Sequence, residues 1–244
     1  MNEKELLING AKVFSIDLDI ERTRKFEHYS RLLCEWNQKM NLTAIKEKKD
    51  IVTKHFLDSL SINPLIKNHI KEHNVKKPRL IDIGSGAGFP GIPLGIVTDN
   101  LEITLLESKE KKVEFLKHII KELGLKPVYT MCCRAEEAGR KTEHREKFDI
   151  AVARAVANLP VLLEYCMPFV KKGGIFIAMK GKEVKDIEQA DNTIKILGGE
   201  IEEIKEIELP HSNMKRKIII IKKHQQIPPQ YPRKVGKPSK KPLM

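Results

Sequence analysis

The sequence predicts an α/β protein: a mostly parallel sheet with helices on both faces, closed by a C-terminal antiparallel hairpin and preceded by a helical extension. Three observations carry this expectation. Strand and helix signals alternate over residues 79–181, the rhythm of βαβ units. A glycine-rich turn, Gly84–Gly91, follows the first strand signal and opens a helix. Near the end, only Pro210-His211-Ser212-Asn213-Met214 separates two strand signals, and so short a joint has no room for a crossover helix.

Taken in order, the chain divides into a helical extension (1–78), a core (79–221) and a tail (222–244). In the extension, Phe26, Tyr29, Leu33, Trp36 and Met40 recur every three or four residues and share one helix face. Trp36 is expected to anchor the core rather than to stack on a base. Residues 51–66 form a second helical segment, interrupted near Pro64, and residues 67–78 read as a charged connector. In the core, strands are expected over 79–84, 101–107, 127–133, 148–156 and 173–181. A helix over 91–97 follows the turn. Val113, Leu116, Ile120 and Leu123 stripe the next helix, and Gly124 ends it. A helix over 158–170 has Asn158 as its N-cap and Pro160 in its first turn. A polar helix over 183–197 precedes the hairpin strands at 200–209 and 216–223. The tail is rich in Pro and Lys/Arg, lacks an apolar period, and is expected to be extended or disordered when unbound.

Charge adds a partner class. The net charge is +12, and it is uneven: residues 1–78 hold 15 Lys/Arg against 11 Asp/Glu, residues 79–221 hold 23 against 22, and residues 222–244 hold 7 against none. Basic ends on a balanced middle fit a polyanion, with nucleic acid the foremost candidate. No apolar run is long enough to span a membrane, and the polar N-terminus does not read as a signal peptide, so a soluble, cytoplasmic protein is expected. Cys34, Cys132, Cys133 and Cys166 form no CxxC pair. Neither zinc nor a disulfide framework is expected, and the thiols should be buried and reduced.

The chemistry centres on Asp82-Ile83-Gly84-Ser85-Gly86-Ala87-Gly88-Phe89-Pro90-Gly91. Glycines let the backbone turn tightly and approach a ligand, and the helix start behind them offers free N–H groups. Read from Gly86, the spacing also satisfies the dinucleotide pattern G-x-G-x-x-G, so the glycines alone admit NAD. A hydride-transfer enzyme would need an acid–base pair such as Tyr/Lys at catalytic spacing, and none is evident. Asp82 ahead of the turn gives D-x-G-x-G-x-G, which resembles the first motif of S-adenosylmethionine methyltransferases, and an acid there suits an ammonium group. Glu107, at the end of the next strand, is placed to accept both hydroxyls of a ribose. Parallel strands finished by an antiparallel hairpin are the class I methyltransferase arrangement. Asp82, Glu107, Arg134, Arg154 and Lys180 all fall near strand C-termini and are expected to converge on one rim.

The motif order resembles one family closely. LIDIGSGAGFPGIPLGIV, with WNQKMNLTAI, HFLDSL, RAEE, ARAVANL, MKG and the C-terminal PPQYPRKVGKPSKKPL, is similar to the RsmG (GidB) family, guanine-N7 methyltransferases of 16S rRNA. The resemblance covers nearly the whole chain. It implies S-adenosyl-L-methionine as cofactor and 16S rRNA or a small-subunit precursor as partner. The residues leave the oligomeric state open, and a monomer is the default expectation. The resemblance implies cofactor contacts at Gly84 and Phe89, at Glu107, Ser108 and Lys109, at Ala135 and Glu136, and at Arg154; Gly86 and Gly88 of the same turn, with Asp82 ahead of it, are expected to bind the cofactor as well. Arg154 is expected to hold cofactor and target together, and Lys180 to meet a phosphate or guanine O6. Asn37, Asn41, His55 and Asp58 are expected to cap and pack rather than to touch RNA. Deleting residues 225–244 is expected to weaken RNA binding and to leave cofactor affinity intact.

Overall fold

Among the described residues seven strands form one sheet, and the first strand lies inside it, third from one edge. The computed structural model describes residues 1–154, 157–181 and 187–243. The strands are β1 (Arg79–Ile83), β2 (Glu102–Glu107), β3 (Val128–Cys132), β4 (Phe148–Arg154), β5 (Val170–Lys180), β6 (Gly199–Glu208) and β7 (Lys215–Lys223). Their order is β3-β2-β1-β4-β5-β7-β6. β1 to β5 pair in parallel, whereas β7 lies antiparallel between β5 and β6. The chain leaves β1 in one direction for β2 and β3, then returns past it to β4 and β5. That reversal opens a crevice beyond the carboxyl ends of β1 and β4, where open α/β sheets bind ligands.

Alternation along the strands builds two cores. In β1, Leu80 faces one side while Ile81 and Ile83 face the other; in β5, Ile175, Ile177 and Met179 oppose Phe176 and Ala178. This is the two-residue period of a sheet buried on both faces. The first face is covered by α6 (Gly91–Val97), α7 (Glu110–Glu122) and the N-terminal helices. The second is covered by α8 (Ala135–Ala138), α9 (Leu159–Cys166) with the 3-10 turn Met167–Phe169, and α10 (Ile187–Ile196). Asn158 caps α9 by accepting from the Val161 N–H, as its sequence position predicts. Gly124, with φ +59°, follows the end of α7. The expected strand residues Ala155 and Val156, and the start of the polar helix at 183–186, lie outside the described residues.

The N-terminal helices share the first core rather than forming one of their own. They are α1 (Glu3–Val13), α2 (Ile20–Met40), α3 (Lys48–Ile51), a π-helix (Val52–Leu57), α4 (Asp58–Leu60) and α5 (Asn63–Glu72). Phe26, Tyr29 and Leu33 on α2 are fully buried, with Phe26 and Tyr29 against Phe56 of the π-helix and Tyr29 against Phe89 of the turn, and Trp36 packs on Phe115 and His118 from the half-buried end of the same stripe. The chain breaks just before Pro64, which sits in the first turn of α5. Two expectations change here. The first half of the stretch read as a charged connector is helix: α5 runs to Glu72 and buries His69. The π-helix was not anticipated, because one residue added to a helical turn leaves the apolar spacing almost unaltered.

The tail is also corrected. It is folded against the second face, with Ile227, Pro232 and Pro238 buried and a short helix, α11 (Lys237–Lys240). Arg145 donates to the carbonyls of Ile227, Pro228 and Tyr231 at 3.0, 3.2 and 2.7 Å. Arg233 makes a two-pronged pair with Glu164, whose side chain is fully buried. Composition misleads here because the tail's partners are carboxylates elsewhere in the chain, and because its prolines pre-set an extended backbone at little entropic cost. The thiol expectation is corrected in part: all four cysteines are free, but only Cys166 is buried, Cys34 and Cys133 are half-buried, and Cys132 is exposed at the end of β3.

Candidate cofactor and acceptor site

The glycine turn is held from below and from beside. After β1, Gly84 and Ser85 both donate their N–H to the Leu106 carbonyl, at 2.8 and 3.1 Å, and Phe89 donates to Ser85. Gly88 has φ +96°, and a Cβ there would stand 2.6 Å from Ile92 and 2.8 Å from the Tyr29 hydroxyl, so only glycine fits. Tyr29 donates its hydroxyl to the Ala87 carbonyl, tying α2 to the turn. Asp82 is fully buried beneath the turn and accepts the Gly91 N–H at 2.9 Å. Burial raises its carboxyl to about 7, against the lowering effect of the Gly91 N–H and Arg154. The side chain points under α6 and lines neither of the cavities beside the turn, so its observed work is to fix the turn.

The first cavity, of about 240 Å³, lies at the carboxyl ends of β1, β2 and β3. Gly84, Glu107, Ser108, Arg134, Ala135 and Glu136 line it, joined by Tyr165 and by Val235, Gly236 and Ser239 of the tail. Glu107 accepts the Gly86 N–H on one oxygen (3.1 Å) and the Lys109 N–H on the other (2.9 Å). An ionised carboxylate offers about four acceptor positions, so each oxygen keeps capacity for a hydroxyl donor. A ribose diol on Glu107 with a purine beside Ala135 and Glu136 fits this lining. S-adenosylmethionine carries that pair of groups.

The second cavity, of about 340 Å³, lies past Phe89 between β4, β5, β7 and the π-helix. Lys54, His55, Asp58, Arg154, Lys180 and Arg216 line it, with Ile45, Met179 and Met214. Arg154 is fixed by three partners: the Lys54 carbonyl at 3.1 Å, Asp58 at 3.0 Å and His55 Nδ1 at 3.0 Å. A guanidinium has only protons to give, so His55 Nδ1 accepts, and the His55 proton sits on Nε2 facing the Thr43 hydroxyl at 2.8 Å. Burial, and then the Arg154 charge, lower His55 to about 3, which keeps it neutral. Its ring stacks on Phe89 at 4.4 Å, and Arg154 lies over the same ring at 4.9 Å. Asp58 takes Arg216 on its other oxygen at 3.0 Å. Lys180 donates to the Ala157 carbonyl at 2.8 Å.

The five groups expected on one rim thus divide. Glu107 and Arg134 face the first cavity, Arg154 and Lys180 the second, and Asp82 is buried between them. Arg154 does not line the first cavity, because β4 delivers it toward the π-helix. His55 and Asp58, expected to pack, do so as the partners that aim Arg154 and Arg216. Arg216 was missed: a basic residue at the start of a strand carries no local mark. A larger cavity, about 390 Å³ between α1, α2 and the π-helix, lies away from the sheet's carboxyl edge and touches none of these groups.

A sheet of this order, with its hairpin at one edge and an acid-flanked glycine turn after the first strand, defines a class I methyltransferase. The CurJ carbon methyltransferase has the same fold, with a TM-score of 0.53 and 11% identity over 69% of this chain and 54% of that one. The family model described as rRNA small subunit methyltransferase G matches residues 22–219, and the chain belongs to that family. Among its relatives are the ribosomal RNA small subunit methyltransferase G of Acetivibrio thermocellus, 54% identical, and that of Alkaliphilus metalliredigens, 48% identical, each over the full length of both chains.

Proposed function

We propose that this protein transfers the methyl group of S-adenosylmethionine to N7 of a guanine in small-subunit 16S rRNA, acting as a monomer in the cytoplasm on the rRNA or a precursor particle. The observation that best supports this is the pair of unlike cavities on either side of one turn. The first offers the carboxylates Glu107 and Glu136. The second offers the cations Lys54, Arg154, Lys180 and Arg216 against the single carboxylate Asp58, a balance suited to a phosphorylated, electron-rich nucleotide. The relatives' name supplies the RNA. Among the described residues, no helix is long and apolar enough to cross a membrane, and no cluster of residues has the makings of a metal site.

When bound, S-adenosylmethionine supplies an electrophilic methyl on a sulfonium. Glu107 binds the ribose hydroxyls, with Gly84, Ser108, Ala135 and Glu136 along the wall. Gly86, Gly88 and Lys109 hold the turn around it. Guanine N7 has an in-plane lone pair and no proton, so no general base is needed. His55, the nearest candidate for one, is already committed to Arg154 and Thr43. Arg154 and Lys180 orient the acceptor, with any contact directed to O6 or phosphate so that N7 stays free. The rate then comes from proximity and orientation. Methyl incorporation into 16S rRNA lacking the modification, followed by mapping, tests the reading. A single N7-methylguanine is expected; label on an exocyclic amine or a ribose overturns it.

A further inference from the structure

The C-terminal segment reaches the first cavity. Val235, Gly236 and Ser239 form part of its wall. The Gly236 N–H donates to Glu136 Oε1 at 2.9 Å, so the strap holds the carboxylate that lines the purine side. Anchors stand on both sides of this contact. Upstream, Glu164 on α9 takes the Arg233 backbone N–H at 2.7 Å and its guanidinium at 2.6–3.0 Å. Downstream, Pro238 is buried and the Leu243 carbonyl accepts the Thr193 hydroxyl at 2.9 Å.

These anchors are too specific for a segment that only trails. A fully buried carboxylate without a partner is costly, and Arg233 supplies both the charge and the hydrogen bonds for Glu164. Arg145 gathers three carbonyls of the strap, groups that would otherwise need water. The strap's position is therefore set by charges that α8, α9 and the loop before β4 present to it.

We propose that residues 227–243 are an integral wall of the cofactor cavity, closing its purine side through Gly236 and Glu136, and that they set cofactor affinity. This rests on the cofactor reading above. It reverses the expectation that removing the tail leaves cofactor binding intact. Binding is reciprocal, so a ligand that fills the cavity must also steady the strap.

Hydrogen exchange on the full chain, with and without S-adenosylhomocysteine, tests this without any variant. Exchange of the amides at 233–241 is expected to slow at least tenfold with ligand. Calorimetry on a chain ending at Gln225 is expected to show a tenfold or greater loss of affinity for S-adenosylhomocysteine. Arg233→Gln in the full chain should lose affinity in the same direction by threefold or more, while still unfolding in one cooperative thermal transition. Ligand binding to the intact chain with no change in strap exchange overturns the proposal. Equal affinities for the intact and the folded shortened chain do so as well. No binding of S-adenosylhomocysteine by the intact chain overturns instead the cofactor reading on which the proposal rests.

Discussion

At the scale of single residues, burial decides what an acid does. Asp82 and Glu107 are both legible in the sequence as acids beside a glycine turn, yet their neighbours give them different work. Glu107 ends its strand beside a cavity, where two backbone N–H groups hold it. Asp82 lies one residue short of its strand's end, so the pleat turns it into the core. Sequence position gave the residue type but not the side of the sheet. Its protonation follows from that burial. An unfolded Asp ionises near ~3.9, whereas burial holds folded Asp82 to about 7. Between these values the native state binds the extra proton. Its contribution to stability is complete below the unfolded value and is lost as pH rises toward 7, at up to about 1.4 kcal/mol per pH unit. Urea unfolding between pH 5 and 7 should show this decline in the wild type and a flatter dependence in Asp82→Asn, which keeps an acceptor for the Gly91 N–H. Parallel profiles would exclude a raised Asp82.

At the scale of elements, the helices of the extension are readable from their stripe, but their purpose is not. The 3-4-3-4 spacing of α2 places Tyr29 inward; only the assembled structure shows that its hydroxyl ends on Ala87 of the turn. In the same way, HFLDSL reads as helix, and the π-helix that swings Lys54 and His55 toward Arg154 carries no sequence mark of its own. The turn and α2 therefore form one packed unit, with Gly88 at the contact. Gly88→Ala places a Cβ against Ile92 and the Tyr29 hydroxyl at a φ that side chains avoid. The expected loss is about 2–4 kcal/mol, combining left-handed strain with overpacking. A shift in the urea midpoint at unchanged slope measures it, and a loss under about 1 kcal/mol would show that the turn and α2 are not tightly joined.

At the scale of the whole molecule, the charge asymmetry visible in the sequence survives folding, but its meaning divides. The tail's +7 reads as a single basic arm. Folded, Arg233 and Lys223 turn inward to Glu164 and Glu146, while Lys234, Lys237, Lys240 and Lys241 stay exposed on the outer side of the strap. Composition could not make that split, because the two glutamates lie far back in the chain. The inner charges serve the fold and, on the proposal above, hold the strap at the first cavity; the outer ones face solvent, where phosphates can meet them. Replacing the four exposed lysines with Gln should therefore leave S-adenosylhomocysteine affinity unchanged while weakening rRNA binding. Each phosphate contact contributes about 0.7–0.9 to the slope of log affinity against log salt, so the slope should fall by about 3. Affinity for 16S rRNA measured across a salt series reads this directly. An unchanged slope would move the RNA grip away from the strap, to the cations around Arg154 and the exposed Lys46, Lys48 and Lys49 ahead of the π-helix. A loss of cofactor affinity in the same variant would show instead that the two sides of the strap do not act separately.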